Sequence, residues 1–156
     1  MRFTGLSIPQ NAVITRAYVQ FKADETDSES TQLNIYGENS GNAAAFNTGA
    51  YNISSRTKTD ASSSWSPMAW NTLLDAGEDQ RTSDMTSIVQ EIVSGAGWQE
   101  GNAMAFIITG TGKRVAYSYD GEQAGAPLLY VEYTIGSVGA NTPPTADARE
   151  DKSVEV

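Results

Sequence analysis

Any chemistry in this chain has to come from carboxylates, tyrosines, lysines and arginines, because its 156 residues include no histidine and no cysteine. Without those residue types there is no Ser-His-Asp or Cys-His nucleophile. Zinc, copper, haem and iron–sulfur centres also lose their usual ligands. Hard cations bound by oxygen atoms remain available, as do sites made of aromatic and polar side chains.

The three tryptophans are the first candidate ligand residues. Trp65 stands in the polar segment Asp-Ala-Ser-Ser-Ser-Trp-Ser-Pro, which favours an exposed platform for a sugar ring. The alternative interpretation is that Trp65 and Trp70 cap a hydrophobic core. Trp98 lies between a predicted helix and a predicted strand, where core packing is expected.

Arginine and polar side chains supply the other candidate ligand residues. Arg114 opens a predicted strand and could bind a uronate carboxylate or vicinal hydroxyls with both arms of its guanidinium. Its alternative is an ion pair with an acidic residue across the sheet. Arg56, beside Lys58, is a second candidate or simply a solvated cation. Tyr119 at the end of the same predicted strand and Asp120 directly after it complete the candidate set.

The acidic residues outnumber the basic ones by 19 to 10, giving a formal net charge of −9. This balance argues against nucleic-acid binding and against polybasic membrane attachment, so we expect neither partner. Calcium is a candidate cofactor, because it takes several carboxylate and carbonyl oxygens. Of three acidic loops, 24–29, 75–79 and 120–122, we favour the first, with Asp24, Asp27 and Glu29 as ligands. A solvated loop is the alternative for each.

Acid pairs could in principle hydrolyse glycosides, and a tyrosine–arginine pair could serve a lyase. The acids of this chain, however, fall in loops without the apolar neighbours that would raise the pKa of a general acid. We therefore predict that the chain is not an enzyme.

The elements that must position these residues are mostly strands. Residues 14–23 alternate strictly, with Ala17, Val19, Phe21 and Ala23 on one face, as in a half-buried antiparallel strand. The segment 84–94 predicts one helix, with Asp84 as its N-cap and Gly95 or Gly97 as a left-handed stop. Residues 38–64 predict a long loop region with short strand pieces. The other predicted strands are 3–6, 31–37, 103–109, 114–119 and 128–134. The pattern predicts an all-β protein, an antiparallel β-sandwich (jelly-roll) with one short helix.

Three segments of residues 3–134 carry a resemblance to a known family. They are the strand pattern Ile8-Pro9…Ile14-Thr15-x-Ala17, the helix pattern Val89-Gln90-x-x-Val93 and the last strand opening Ala126-Pro127-Leu128-Leu129. The order is similar to DNRLRE-type β-jelly-roll modules and related carbohydrate-binding modules of secreted bacterial proteins. That resemblance implies a β-sandwich, binding of acidic or neutral polysaccharide in some members, and often a structural calcium ion. Where the family often has Ser-Arg-Glu, this chain has Ser118-Tyr119-Asp120-Gly121-Glu122.

The composition changes at Gly136. Residues 1–135 form the predicted β-jelly-roll module, and residues 136–141 read as a flexible linker. Residues 141–156 resemble the first strand of a polycystic-kidney-disease (PKD) type or Ig-like repeat, which implies a longer, multidomain chain. A disordered acidic tail is the alternative.

These observations combine into one expectation. The chain is expected to be a non-catalytic carbohydrate-binding module of a secreted or cell-surface bacterial protein, monomeric and joined to neighbouring domains. The alternatives are a structural or adhesive spacer without a glycan site and, less favoured, a small polysaccharide lyase or hydrolase.

Overall fold

The computed structural model describes residues 1–135. The predicted linker and PKD-like strand lie outside the described residues. Two 3-10 turns accompany the main elements, at Glu78–Gln80 and Gln123–Gly125. The strands and the helix, in chain order, are β1 Arg2–Phe3, β2 Val13–Gln20, β3 Gln32–Glu38, β4 Lys58–Trp65, α1 Thr86–Ser94, β5 Met104–Thr111 and β6 Leu128–Thr134.

Two antiparallel sheets face each other. The four-stranded sheet has the order β1-β5-β3-β4, and the two-stranded sheet pairs β2 with β6. The predicted all-β antiparallel sandwich with one short helix is therefore confirmed. The predicted alternation also holds, since Ala17, Val19, Phe21 and Ala23 are all buried. A bulge between Ile14 and Arg16 keeps both Ile14 and Ala17 in the core.

Helix α1 closes one side of the sandwich, because it contacts β2 of the smaller sheet and β3 and β4 of the larger one. Its buried stripe includes Ile88, Val89 and Ile92, as the sequence spacing predicted. The predicted N-cap is wrong by one residue, because Met85 occupies that position; Asp84 precedes it, and its carboxylate accepts hydrogen bonds from the amide and hydroxyl of Thr86. The predicted left-handed stop is wrong, since Gly95 has φ −67° and ψ 140°, an extended conformation.

Strand β4 falls in the region predicted as a long loop with short strand pieces, because its sequence, Lys-Thr-Asp-Ala-Ser-Ser-Ser-Trp, has almost no apolar alternation. Contacts with residues far away in the chain stabilise this strand, although its own sequence has no clear strand pattern. One edge of β4 pairs with β3. On β4, the amides of Asp60 and Ala61 donate to the carboxylate of Glu91 in α1, at 2.9 and 2.8 Å. A side chain of the helix thus satisfies edge groups that would otherwise need water.

The predicted strand 114–119 is also wrong. This segment makes only an isolated bridge, between Ala23 and Ala116. The chain turns at Gly112, whose φ of +90° is a conformation that L side chains rarely adopt. The amides of Asp24 and Tyr117 link the two segments, but no continuous ladder forms around them. Arg114 and Tyr119 consequently occupy an irregular segment.

Candidate functional site

All three tryptophans are buried, and Trp65 is only 6 % exposed. It lies at the end of β4 on the face that points inward, and its indole stacks on Phe21 with ring centroids 5.6 Å apart. The indole nitrogens of Trp70 and Trp98 donate to the carbonyls of Asp79 and Ile8, both at 2.9 Å. The expected exposed platform at Trp65 is therefore corrected, because the strand register directs this side chain into the core.

Arg114 is a buried clamp, with a side chain 5 % exposed and an ion pair to Asp27 at 3.5 Å. Its guanidinium donates to five further oxygens, which are the carbonyls of Glu29, Pro67, Met68 and Lys113 and the hydroxyl of Thr31. These bonds tie three loop segments together. The expected ligand role of Arg114 is corrected, since its donors are occupied inside the fold. Its ion pair is with a loop residue, Asp27, and not across the sheet as the alternative had it.

Arg56 makes a second clamp, on the loop between β3 and β4. Its Nη1 pairs with the Glu38 carboxylate at 2.5 Å, and the two side chains are 7 % and 13 % exposed. The same guanidinium donates to the carbonyls of Ala44, Ala45 and Asn52 and covers the ring of Phe46. Arg56 is thus neither a solvated cation nor an accessible ligand residue.

Tyr119 and Asp120 remain accessible. Tyr119 is 65 % exposed, and both residues line a cleft of about 530 Å³. The walls of this cleft are mostly apolar. They include Met1, Phe3, Phe46, Tyr117 and Pro127. The structure does not bring these two residues together with Trp65, Arg56 or Arg114 as one site.

Two of the three predicted calcium ligands, Asp24 and Asp27, have partners within the protein. Asp27 accepts a hydrogen bond from the Glu29 amide at 2.7 Å and pairs with Arg114. Asp24 lies beside Tyr117. The pKa of the Tyr117 phenol is raised mainly by burial and, to a smaller extent, by the charge and hydrogen bond of the Asp24 carboxylate. Within residues 1–135, no three acidic side chains converge as a metal-binding group. Arg114 already compensates the charge of Asp27 in this loop. Calcium binding, here or at another acidic loop, stays a prediction.

A different surface, on the outward face of β2 and β6, gathers aromatic and basic side chains. Tyr18 and Tyr130 are cross-strand partners, and their rings stack with centroids 4.7 Å apart and planes at 16°. The guanidinium of Arg16 lies 5.2 Å from the Tyr18 centroid and 5.8 Å from that of Tyr130. We call this the tyrosine surface. It consists of Arg16, Tyr18, Gln20, Arg81 and Tyr130.

The polar groups of the tyrosine surface hold one another in place. Arg81 lies 4.4 Å from the Tyr18 centroid, and its Nε donates to the Gln20 side chain at 3.3 Å. The Tyr130 hydroxyl donates to Glu132, and this hydrogen bond, with some desolvation, raises the pKa of Tyr130. The Tyr130 phenol therefore keeps its proton, and with it this hydrogen bond, to a higher pH than an unperturbed tyrosine would. Tyr130 is itself 39 % exposed, so its ring can be reached from solvent.

The sequence held part of the signal for this surface. Arg16, Tyr18 and Gln20 occupy alternate outward positions of a strongly predicted strand. The pairing of Tyr18 with Tyr130, more than 100 residues away, depends on the register of β2 and β6, which no local pattern supplies.

Comparison with known proteins finds no matching family model, no matching curated protein and no matching solved structure. Within residues 1–135, no helix has the length and apolar character needed to cross a membrane.

Proposed function

We propose that the chain is a non-catalytic carbohydrate-binding module that binds polysaccharide on the tyrosine surface. The observation that carries the proposal is the stacked pair of the half-buried Tyr18 and the exposed Tyr130, with guanidinium and amide groups beside it. Aromatic rings provide apolar faces for the C–H groups of a sugar, while neighbouring donors bind its hydroxyls. The two-stranded sheet holds both rings on a regular element rather than on a loop.

An open surface of this kind suits weak binding to the interior of a long chain. Association costs translational and rotational freedom, and a shallow contact recovers only part of that cost. Secretion, attachment to neighbouring domains and a monomeric state are parts of the same proposal, and they rest on the composition and the resemblance.

A structural or adhesive spacer without a glycan site is the second candidate function. Two observations favour it. All three tryptophans are buried, and both Arg56 and Arg114 are engaged in ion pairs within the protein. A spacer needs a stable sandwich, and these residues contribute to its stability. It does not need an exposed tyrosine pair.

Affinity electrophoresis and a glycan array, both with the full chain, separate the two functions. Tyr130→Ala should weaken any detected binding about tenfold, because the accessible stacking ring is lost. Tyr130→Phe should retain binding, which shows that the ring matters and that the fold is intact. Tyr119→Ala is the matched control, since it removes an exposed tyrosine from the cleft instead.

Each outcome decides between the candidates. Loss of binding with Tyr119→Ala but not with Tyr130→Ala would transfer the site to the cleft. Silence of the wild-type chain across acidic and neutral glycans would favour the spacer. Melting with and without a chelator tests calcium separately, and a calcium-loaded sample that melts unchanged in EDTA has no stabilising site.

A further inference from the structure

We infer that the chain carries a second sugar-binding site, for a neutral polysaccharide, on the outward face of the four-stranded sheet. This inference rests on the proposed function and extends it to a second surface. The site is a groove of about 460 Å³ between that sheet and the loop that joins β3 to β4, and we call it the Tyr51 groove. Its lining includes Asn47, Tyr51, Asn52, Ile53, Lys58 and Ile107.

Strand register places the Tyr51 groove on the side of the sandwich opposite the tyrosine surface. Ile35 of β3 is buried in the core, so its neighbour Tyr36 points outward. Tyr36 pairs with Ile107 of β5, which therefore shares this outward face. Ile107 is nevertheless only 5 % exposed, because loop residues such as Ile53 lie over it. The two sheets pack inner face to inner face, so the groove and the tyrosine surface point in opposite directions.

Tyr51 presents an accessible aromatic ring at this groove. Its side chain is 80 % exposed, and no other large apolar or aromatic residue in 1–135 is as exposed. Its backbone has a φ of 62°, and its carbonyl accepts hydrogen bonds from the amide and the hydroxyl of Ser55, at 2.9 and 2.7 Å. A bulky residue is uncommon in this left-handed conformation. A ring fixed in this way on a folded loop suits stacking against the C–H face of a sugar.

The Arg56 clamp holds the loop that carries this ring. Arg56 forms its buried ion pair with Glu38 and donates to the carbonyl of Asn52, the residue after Tyr51, at 2.9 Å. The side-chain oxygen of Asn52 accepts a hydrogen bond from the amide of Asn47 at 3.1 Å, which joins the two ends of the loop tip. A loop ordered in advance loses little conformational freedom when it binds a ligand.

The two asparagines of the groove retain hydrogen-bond donors. The side-chain oxygen of Asn47 accepts from the amide of Gly49 at 2.8 Å, and that of Asn52 is occupied by Asn47. These bonds determine which end of each side chain is the oxygen. Neither side-chain nitrogen donates to a group in the part of the chain that the structure describes. Two such donors beside an exposed ring match the hydroxyl groups of a sugar.

The charges at the groove favour a neutral ligand. The carboxylate of Glu38 is compensated by Arg56. The cation that lines the groove is Lys58, whose ammonium lies 4.6 Å from the Tyr36 ring centroid and joins none of the ion pairs within 1–135. One ammonium on a chain of net charge −9 attracts a polyanion only weakly, yet it still donates to hydroxyls.

Affinity electrophoresis of the full chain through gels of galactomannan, β-glucan or arabinoxylan tests the inference. Tyr51→Asn removes the ring and tolerates the left-handed backbone, so it should weaken binding to the retaining polymer about tenfold while the loop stays folded. Tyr51→Phe should bind as the wild type does. Tyr119→Ala is the matched control, since it removes an exposed tyrosine that lies outside the groove.

NMR of the isotope-labelled full chain locates the site directly. A hexasaccharide of the retaining polymer should shift the side-chain amide signals of Asn47 and Asn52. Tyr51→Asn should abolish these shifts, whereas Tyr130→Ala should leave them in place. Binding that persists without shifts at these two asparagines would overturn the Tyr51 groove.

The results also distinguish this inference from the proposed function. Retention lost in Tyr130→Ala and kept in Tyr51→Asn would overturn the second site and support the tyrosine surface. The reverse pattern would support the Tyr51 groove and count against the tyrosine surface. A wild-type chain that no neutral gel retards would overturn the groove, while binding to acidic glycans on the array would still support the proposed function.

Discussion

Arg114 and Arg16 show how one residue type serves two purposes in a single small sandwich. Arg114 is buried, and its guanidinium is used by one carboxylate and five further oxygens of the chain. Arg16 lies outside on two tyrosine rings, without an ion pair to any residue in 1–135. The difference teaches that a candidate ligand residue is defined by its unused donors, and that residue type alone does not reveal them.

The tryptophans and tyrosines repeat the same contrast. The indoles, which bury the most apolar area, fill the core, whereas Tyr18 and Tyr130 form a stacked pair at the surface. The phenol of Tyr130 keeps a polar end in contact with Glu132 while its ring remains accessible. Four predictions test how far the interior and surface groups differ, and they run from the largest expected effect to the smallest.

Arg114→Met should lower the free energy of unfolding by about 3–5 kcal/mol, because Asp27 and several carbonyls lose their buried donor. Urea denaturation followed by tryptophan fluorescence measures the change. The double variant Arg114→Met with Asp27→Asn should recover part of the loss, since the uncompensated charge is removed. A change below about 1 kcal/mol would show that Arg114 is not a clamp.

Arg56→Met should lower the free energy of unfolding by up to about 3 kcal/mol, because Glu38 is left without its partner. The loop between β3 and β4 should loosen with it, since Arg56 also holds the carbonyls of Ala44 and Ala45. Chymotrypsin should then cut faster near the exposed Tyr51. Unchanged cleavage together with unchanged stability would contradict the role assigned to Arg56.

Arg16→Gln should change the free energy of unfolding by no more than about 0.5 kcal/mol, since the side chain is exposed and makes no ion pair within the described residues. The same change should weaken polysaccharide binding to the tyrosine surface, so stability and binding separate at this position. Thermal melting measures the stability and affinity electrophoresis measures the binding. A large loss of stability would show that Arg16, like Arg56 and Arg114, makes contacts that stabilise the fold.

The smallest effect concerns pH. Hydrogen bonding to Glu132 raises the pKa of Tyr130 above its ordinary value, so the phenol should titrate above about pH 10. The stabilisation from this bond is complete below that ordinary value and disappears as the pH rises through the raised pKa. Ultraviolet titration of tyrosinate should detect Tyr130 as a late-titrating group. In Glu132→Gln its pKa should return towards the ordinary value, and an unchanged titration would rule out the proposed cause.

Sequence periodicity predicted the elements whose two faces differ. The alternation around Ala17 and Val19 predicted β2, the stripe around Ile88 and Val89 predicted α1, and the last strand was predicted at the bounds Leu128–Thr134. Strand β4 was missed because neighbours stabilise it, through pairing with β3 and the Glu91 carboxylate. The strand expected at 114–119 does not form, because Gly112 turns the chain and Arg114 binds several loops.

The sequence predicted the strands and the helix better than it predicted which side chains are accessible, and the reason is physical. Trp65, Arg56 and Arg114 were chosen for what their side chains could do, but burial and internal hydrogen bonds use those capacities. Tyr119 and Asp120 are accessible, but they lie apart from the other three residues, and Tyr119 is not on the strand predicted for it. Whether a side chain is free to bind a ligand depends on its exposure and on the pairing of distant strands, and a short stretch of residues reveals neither.

The sequence by itself determined the class of chemistry and the class of fold. The absence of histidine and cysteine removed whole families of sites, and apolar periodicity determined an antiparallel sandwich with one helix. The tertiary structure alone decided which polar and aromatic groups remain free. It did so through strand register, which joins Tyr18 to Tyr130, and through burial, which turns Arg56 and Arg114 inward. Both depend on contacts between residues far apart in the chain, so local sequence patterns could not reveal them.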